Sequence, residues 1–81
     1  MEIRDEIFKM IDEAKRISAP VHEISNLYTE LGFDSLSFIA FLIRIEDVYS
    51  ITFDIVEMTS CLQVGRLIAL VEDKLKGAES L

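Results

Sequence analysis

The chain has 81 residues, which is enough for one compact core and too few for a second domain. Its net charge of −7 repels nucleic acid phosphates and anionic lipids, so we expect neither a nucleic acid nor a membrane as partner. A single cysteine, Cys61, rules out an internal disulfide and a cysteine-based zinc cluster. The N-terminal segment is charged, and no apolar run approaches the roughly 20 residues of a membrane span. We therefore expect a cytoplasmic protein without a bound metal.

The first predicted element is an amphipathic helix over residues 2–17. Charged residues fill one face, and the apolar residues of the other face recur at steps of three and four: Ile3, Ile7, Met10, Ile11, Ala14 and Ile17. We expect this helix to stop near Pro20, because proline restricts the residue before it and has no N–H to donate.

A loop without helical or strand periodicity follows over residues 20–34. Four of its residues are too apolar for a loop that contacts only solvent: Ile24, Leu27, Tyr28 and Leu31. We therefore expect the loop to be pinned onto the core. Gly32 predicts a turn before the next helix, and either Asp34 or Ser35 is suited to cap that helix.

The second predicted helix covers residues 35–49 and is apolar on more than one face. Its apolar residues are Leu36, Ile39, Phe41, Leu42, Ile43, Ile45, Val48 and Tyr49. One core cannot bury all of these side chains, so one face is expected to pack outward against a partner.

Two further helices complete the predicted fold. Asp54 is suited to cap a short third helix over Ile55 to Met58, and a fourth helix is predicted over residues 63–76, with Gly77 as its stop. No alternating pattern of useful length predicts a strand. The chain is thus predicted to be all-α, a four-helix bundle with a short third helix, with residues 1–77 as one domain and 78–81 as a flexible C-terminal tail.

The sequence offers little support for catalysis. A hydrolase would have to combine His22, the single histidine, with Ser35, but a lone loop histidine is more often a solvated surface residue. Adjacent carboxylates such as Glu46 and Asp47 point in different directions from a helix. Nothing near Cys61 would lower the pKa of its thiol, so it is expected to be a small buried hydrophobe. We expect a protein without catalytic activity of its own.

The segment LGFDSLSFIAFLIRI, from Leu31 to Ile45, carries a more specific signal. It resembles the phosphopantetheine attachment site of acyl and peptidyl carrier proteins, whose pattern is Leu, Gly, an apolar residue, and then Asp-Ser-Leu opening the second helix of a four-helix bundle. Here these are Leu31, Gly32, Phe33, Asp34, Ser35 and Leu36. The stretches IEDVYSITF and QVGRLIALVE resemble the exit of the family's second helix and its fourth helix. The resemblance therefore covers nearly the whole chain.

This resemblance implies a freestanding carrier protein with 4′-phosphopantetheine attached to Ser35, taken from coenzyme A by a phosphopantetheinyl transferase. The arm would hold an acyl, aminoacyl or peptidyl group as a thioester and present it to a loading ligase and to downstream synthases. A monomer suits that task. The helix position agrees, because a helix N-terminus favours an attached phosphate. The competing interpretation is an unmodified helical adaptor in which Ser35 or Asp34 is only a cap.

The second helix departs from the pattern of fatty acid synthesis carriers, which space acidic residues along it. Here Ser37, Phe38, Ala40 and Arg44 occupy this helix, and acids return only at Glu46 and Asp47. This departure favours specialised metabolism, such as polyketide or nonribosomal peptide synthesis, over fatty acid synthesis. Phe38 is expected at an interface, although it could fold back under the loop. The short third helix, Ile55 to Met58, is expected on the same partner-binding face. The predicted partner-binding residues are Asp34, Leu36, Phe38, Ala40 and Met58.

Overall fold

The computed structural model describes residues 2–79 of the chain, and the side chains of residues 2–77. Four helices follow one another: α1 (Ile3–Ala14), α2 (Ser35–Tyr49), α3 (Ile55–Ser60) and α4 (Val64–Glu79). Over residues 2–79 no strand forms, and one isolated bridge joins Asn26 to Gln63. The prediction of an all-α bundle with a short third helix is confirmed. No helix of the described range is both long and apolar enough to cross a membrane.

The core lies between α1, α2, α4 and the loop that joins α1 to α2. Nine aliphatic residues from these four segments are 0 % exposed: Ile7, Ile11, Leu27, Leu31, Leu42, Ile45, Val64, Leu67 and Val71. Aromatic side chains border them: Phe41 and Phe53 are buried, and Phe8 and Tyr49 pack against the core while partly exposed. The hydroxyl of Tyr49 donates a hydrogen bond of 2.8 Å to Glu6 Oε1, which ties α2 to α1.

Helix α1 ends at Ala14, three residues earlier than predicted. The N–H of Lys15 still donates to the Ile11 carbonyl (2.8 Å), but the N–H groups of Arg16 and Ile17 both donate to the carbonyl of Leu31, at 3.0 and 3.3 Å. The chain therefore leaves the helix to bond with the far end of the loop, well before Pro20. Ile17 consequently lies off the buried face and is 44 % exposed.

The loop between α1 and α2 is fixed to the bundle by backbone hydrogen bonds. The Leu27 N–H donates to the Leu62 carbonyl (2.8 Å), and the N–H groups of Val64 and Gly65 donate to the carbonyls of Ser25 (3.0 Å) and Glu23 (2.8 Å). Leu27 and Leu31 are fully buried and Tyr28 is half-buried, which confirms the predicted pinning for three residues. The prediction is wrong for Ile24, which is 77 % exposed.

Helices α3 and α4 both run further than predicted. Asp54 caps α3 as predicted, and the helix continues to Ser60. None of its residues is buried, and Glu57 anchors it through an ion pair of 2.8 Å with Lys74 of α4. Helix α4 passes through Gly77 to Glu79, so Gly77 does not end it. Residues 80–81 of the predicted tail lie outside the described residues, and the boundary at residue 77 stays a prediction.

Phe38 lies in the core, so its assignment to an exposed partner-binding face is wrong. Its side chain is 2 % exposed, and its ring makes edge contacts with the rings of Tyr28 (centroids 5.4 Å apart) and Phe33 (6.5 Å). The physical reason is its helical position, because Phe38 shares one face of α2 with Phe41 and Ile45, at three- and four-residue steps. The alternative placement under the loop is correct.

Phe38→Ala is expected to destabilise the protein by about 3–5 kcal/mol, because it leaves a cavity among buried rings. For a domain of this size that corresponds to a fall in melting temperature of roughly 12 °C or more. Leu36→Ala, at an 81 % exposed position two residues earlier in α2, is the matched control and should change stability by no more than about 0.5 kcal/mol. Thermal unfolding followed by circular dichroism measures both. Equal melting temperatures for the two variants would contradict the placement of Phe38, and the milder Phe38→Leu keeps the comparison measurable if Phe38→Ala does not fold.

Candidate functional site: the N-terminus of helix α2

A turn at Gly32 directs the chain into α2. Gly32 has φ +82°, a left-handed conformation that residues with a Cβ rarely adopt. A Cβ at this position would also lie 2.8 Å from Ile17 Cγ1 and 3.1 Å from Arg16 Cβ. The segment after α1 therefore passes too close to this turn for any residue but glycine, and the predicted turn is confirmed.

Asp34 is the N-cap of α2. Its Oδ1 accepts a hydrogen bond of 2.8 Å from the Ser37 N–H, and the Ser37 hydroxyl oxygen accepts one of 3.0 Å from the Asp34 N–H. This reciprocal pair is a capping box with serine in the third position, which fixes where the helix begins. Of the two cap candidates in the sequence, the structure selects Asp34.

Ser35 is therefore the first residue of α2, and its hydroxyl group is not needed to cap the helix. Its side chain is exposed, and no described residue hydrogen-bonds the hydroxyl. The N–H groups of Ser35 and Leu36, at the open end of the helix, also have no partner in the described range. An accessible oxygen beside two unpaired N–H groups fits a phosphodiester at Ser35, because helix N-termini favour anions.

Hydrogen bonding keeps the carboxyl group of Asp34 ionised beside Ser35. The hydrogen bond from the Ser37 N–H, then the side chain of Ser37 and then the charge of Arg16 lower the pKa of Asp34 below its ordinary value of 3.8. Arg16 Nη1 lies 3.7 Å from Asp34 Oδ2, which is an ion pair without a hydrogen bond. A negative charge therefore adjoins Ser35 at neutral pH.

An exposed apolar surface extends from Ser35 along the outward face of α2. Leu36 is 81 % exposed, and Ile39, Ala40 and Ile43 share its face at three- and four-residue steps, each exposed. In α3 two further apolar residues are exposed, Ile55 at 79 % and Val56 at 74 %. This is the outward face that the excess of apolar residues in α2 predicts.

The predicted partner-binding residues differ in their exposure. Asp34, Leu36 and Ala40 are exposed, as partner contact requires, and Met58 is half-buried against the core. The sequence analysis placed the short third helix, with Ile55 and Val56, on the partner-binding face, and both residues are exposed. It did not name Ile39 and Ile43 as partner-binding residues. In α2, the helical spacing from Leu36 to Ile43 places these residues on one exposed face once the buried face is known.

The remaining candidate residues stand apart from this site. Cys61 is 1 % exposed, and burial raises the pKa of its thiol to about 11, so it is a buried hydrophobe as predicted. His22 is exposed in the loop, where its backbone N–H donates to Ser25 Oγ at 3.0 Å. No described contact joins the His22 ring to Ser35. In the described part of the chain, no group of three or more His, Cys, Asp or Glu side chains is placed to hold a metal ion.

Comparison with known proteins identifies one family. The model of a family described as "Phosphopantetheine attachment site" matches residues 10–71, about three-quarters of the chain, with Ser35 near the middle of the match. No curated protein matches the chain significantly.

The Asp34 cap makes stability depend on pH in a defined direction. Because the folded-state pKa of Asp34 is lowered, the ionised carboxyl group stabilises the fold fully above the ordinary pKa of 3.8, and this contribution is lost as the pH falls through the lowered value. Asp34→Ala should therefore melt at a lower temperature than the wild type at pH 7, and the difference should shrink in acid. Melting curves across this range measure it, with Asp73→Ala at an exposed position of α4 as control. A difference that stays constant down to the acid limit would contradict the role of the carboxylate.

Proposed function

This chain belongs to the phosphopantetheine attachment-site family, and we propose that it is a carrier protein whose 4′-phosphopantetheine is attached to Ser35. Domains of this family are sites of covalent 4′-phosphopantetheine attachment. The observation that carries the assignment to Ser35 is its exposed hydroxyl, uncommitted to any described hydrogen bond, at the first position of a capped helix. When bound, the arm supplies a thiol that holds an acyl group as a thioester.

Other hydroxyl groups near Ser35 or on the helices are less suited to carry the arm. The Ser37 hydroxyl is engaged in the capping box with Asp34. Ser25 is 2 % exposed and accepts the His22 N–H. In α3, the hydroxyl groups of Thr59 and Ser60 donate to the carbonyls one turn earlier in the helix. Ser35 combines exposure, a free hydroxyl and a fixed helical position.

The attachment step is a phosphoryl transfer in which the chain supplies only the acceptor oxygen. A bond forms between Ser35 Oγ and the pantetheine-linked phosphorus of coenzyme A, while the bond from that phosphorus to adenosine 3′,5′-bisphosphate breaks. The hydroxyl proton passes to the transferase. The N–H groups of Ser35 and Leu36 are placed to interact with the resulting phosphodiester.

The outward face of α2 supports a proposal for the partners. We expect a phosphopantetheinyl transferase, a loading ligase and downstream synthases to contact Leu36, Ala40 and the neighbouring exposed apolar residues, with Asp34 and Met58 at the margins. α2 has no acidic residue before Glu46, which favours polyketide or nonribosomal peptide synthesis over fatty acid synthesis. We further propose that the protein acts as a cytoplasmic monomer and that catalysis belongs to its partners.

Incubation with coenzyme A, magnesium and a promiscuous phosphopantetheinyl transferase should add one phosphopantetheinyl group to the wild type, as measured by intact mass. Ser35→Ala should gain no mass and should change stability by no more than about 0.5 kcal/mol, because its hydroxyl bonds to no described residue. Ser37→Ala is the matched control, a serine two residues away that should still be loaded. Loading of Ser35→Ala would place the arm elsewhere. Failure of the folded wild type to load would favour the unmodified adaptor.

Leu36→Glu should weaken transferase docking without harming the fold. A charge would replace an exposed apolar contact, so kcat/KM for loading should fall by about fivefold or more. The melting temperature should barely change, since Leu36 is 81 % exposed and a glutamate in the first turn suits the helix dipole. Ile24→Glu, at a 77 % exposed loop position, is the control and should load normally. Equal values of kcat/KM for the two variants would contradict the assignment of Leu36 to the docking face.

A further inference from the structure

A cleft of about 280 Å³ opens between the end of α1 and the segment of α2 from Ser37 to Arg44. Phe33 and Phe41 form its apolar floor, each 4 % exposed, with ring centroids 5.4 Å apart. Arg16, Ser37 and Arg44 supply its polar lining. The cleft thus combines an aromatic base with two guanidinium groups.

The charge of this cleft is opposite to that of the chain. The protein has fifteen acidic residues and a net charge of −7, yet among the described residues none that lines the cleft is acidic. The nearest carboxylate to Arg16 belongs to Asp34, whose Oδ2 forms an ion pair with Arg16 Nη1 at 3.7 Å. This distance is too long for a hydrogen bond, so the guanidinium group of Arg16 donates to no described residue. A positive cleft on an acidic protein selects an anionic ligand.

Arg44 is available for a new ion pair. It is exposed, it is the one basic residue of α2, and no carboxylate of the described residues lies within 4.0 Å of its guanidinium. Arginine also favours carboxylates geometrically, because its planar N–H groups can donate two parallel hydrogen bonds to one carboxylate.

The cleft adjoins the apolar outward face of α2. Ala40 lines the cleft and also shares the exposed face of Leu36 and Ile43, one helical turn away on either side. A partner protein that docks on that face can therefore contact the cleft and Ser35 at the same time.

From the charge and shape of this cleft we infer that it binds an acidic, apolar segment of a partner protein. An apolar side chain of the partner rests on Ala40 and on the exposed edges of Phe33 and Phe41, and neighbouring carboxylates pair with Arg16 and Arg44. This inference rests on the proposed function in one respect, that the partner is an enzyme docking beside Ser35. The partner's docking surface would then carry acidic residues, whereas the net negative charge of this protein alone favours partners with basic surfaces.

The test uses two synthetic peptides, one with a phenylalanine between two glutamates and one with the phenylalanine between two lysines. Each is titrated into isotopically labelled full-length Ser35→Ala protein while the amide resonances are followed by NMR. The glutamate peptide should shift the amides of Ala40, Phe41 and Arg44, with a Kd on the order of 1 mM, as expected for a few exposed contacts. The lysine peptide should not shift them.

Charge reversal supplies the matched comparison. Arg16→Glu with Arg44→Glu should weaken binding of the glutamate peptide by about fivefold or more and should bring the lysine peptide into the cleft. Arg66→Glu with Lys76→Glu, at two exposed positions of α4, changes the net charge equally and should leave the preference intact, because distant charges are screened over about 8 Å at physiological salt. If the reversed protein does not fold, the glutamine variants Arg16→Gln and Arg44→Gln replace it.

The outcomes separate this inference from the carrier function. Absence of shifts at the cleft with the glutamate peptide, or an equal loss of binding in both double variants, overturns the inference. Because the Ser35→Ala protein cannot be loaded at that residue, the peptide result does not depend on the arm. If the wild type is loaded but the glutamate peptide does not bind, the carrier function is supported and the cleft is not a binding site. If the peptide binds but the wild type is not loaded, the cleft is supported as a binding site and the carrier function is contradicted.

Discussion

The burial of Leu27 and Leu31 is the constraint on which the start of α2 depends. Both side chains are fully buried, although the segment around them has no regular helix or strand. The carbonyl of Leu31 accepts N–H groups from both Arg16 and Ile17, and the carbonyl of Leu27 accepts the N–H of Phe33 at 3.0 Å. Because these bonds fix the chain on both sides of the Gly32 turn, Asp34 and Ser35 follow in a defined position. A loop free to move would leave the proposed attachment residue without a fixed orientation.

Helix α2 has apolar residues both on the face that packs in the core and on the face exposed to solvent. One face buries Phe38, Phe41, Leu42 and Ile45, and the opposite face exposes Leu36, Ile39, Ala40 and Ile43. Exposed apolar residues on a small, strongly acidic protein are typical of an interaction surface. The first turn joins the two roles, because Phe38 anchors the helix underneath while Ser35 stays accessible. A carrier needs this combination, since its attachment residue must be rigidly placed and still reachable by several enzymes.

Much of this arrangement could be predicted from the sequence, and the errors have physical causes. The limits of α2 and the turn at Gly32 follow from periodicity and local chemistry, so they were predictable. The burial of Leu27 and Leu31 was predictable from their apolar character, although the loop has no regular period. Phe38 was misplaced because a helix that is apolar on more than one face does not reveal which face meets the core. The early end of α1 depends on the Leu31 carbonyl, a contact distant in sequence that periodicity cannot detect. The cleft brings Arg16, just after α1, together with Arg44 of α2, and no local pattern in the sequence indicates this contact between distant segments.

The central claim is that Ser35 carries the arm on a helix start that is already formed. It is tested most directly by comparing the amide NMR spectra of the protein before and after loading by a phosphopantetheinyl transferase. We expect shifts centred on Ser35 and its immediate neighbours, with the amides of the buried residues Leu31, Phe38 and Leu42 unchanged. Shifts that spread through those buried residues, or that centre on another serine, would contradict it.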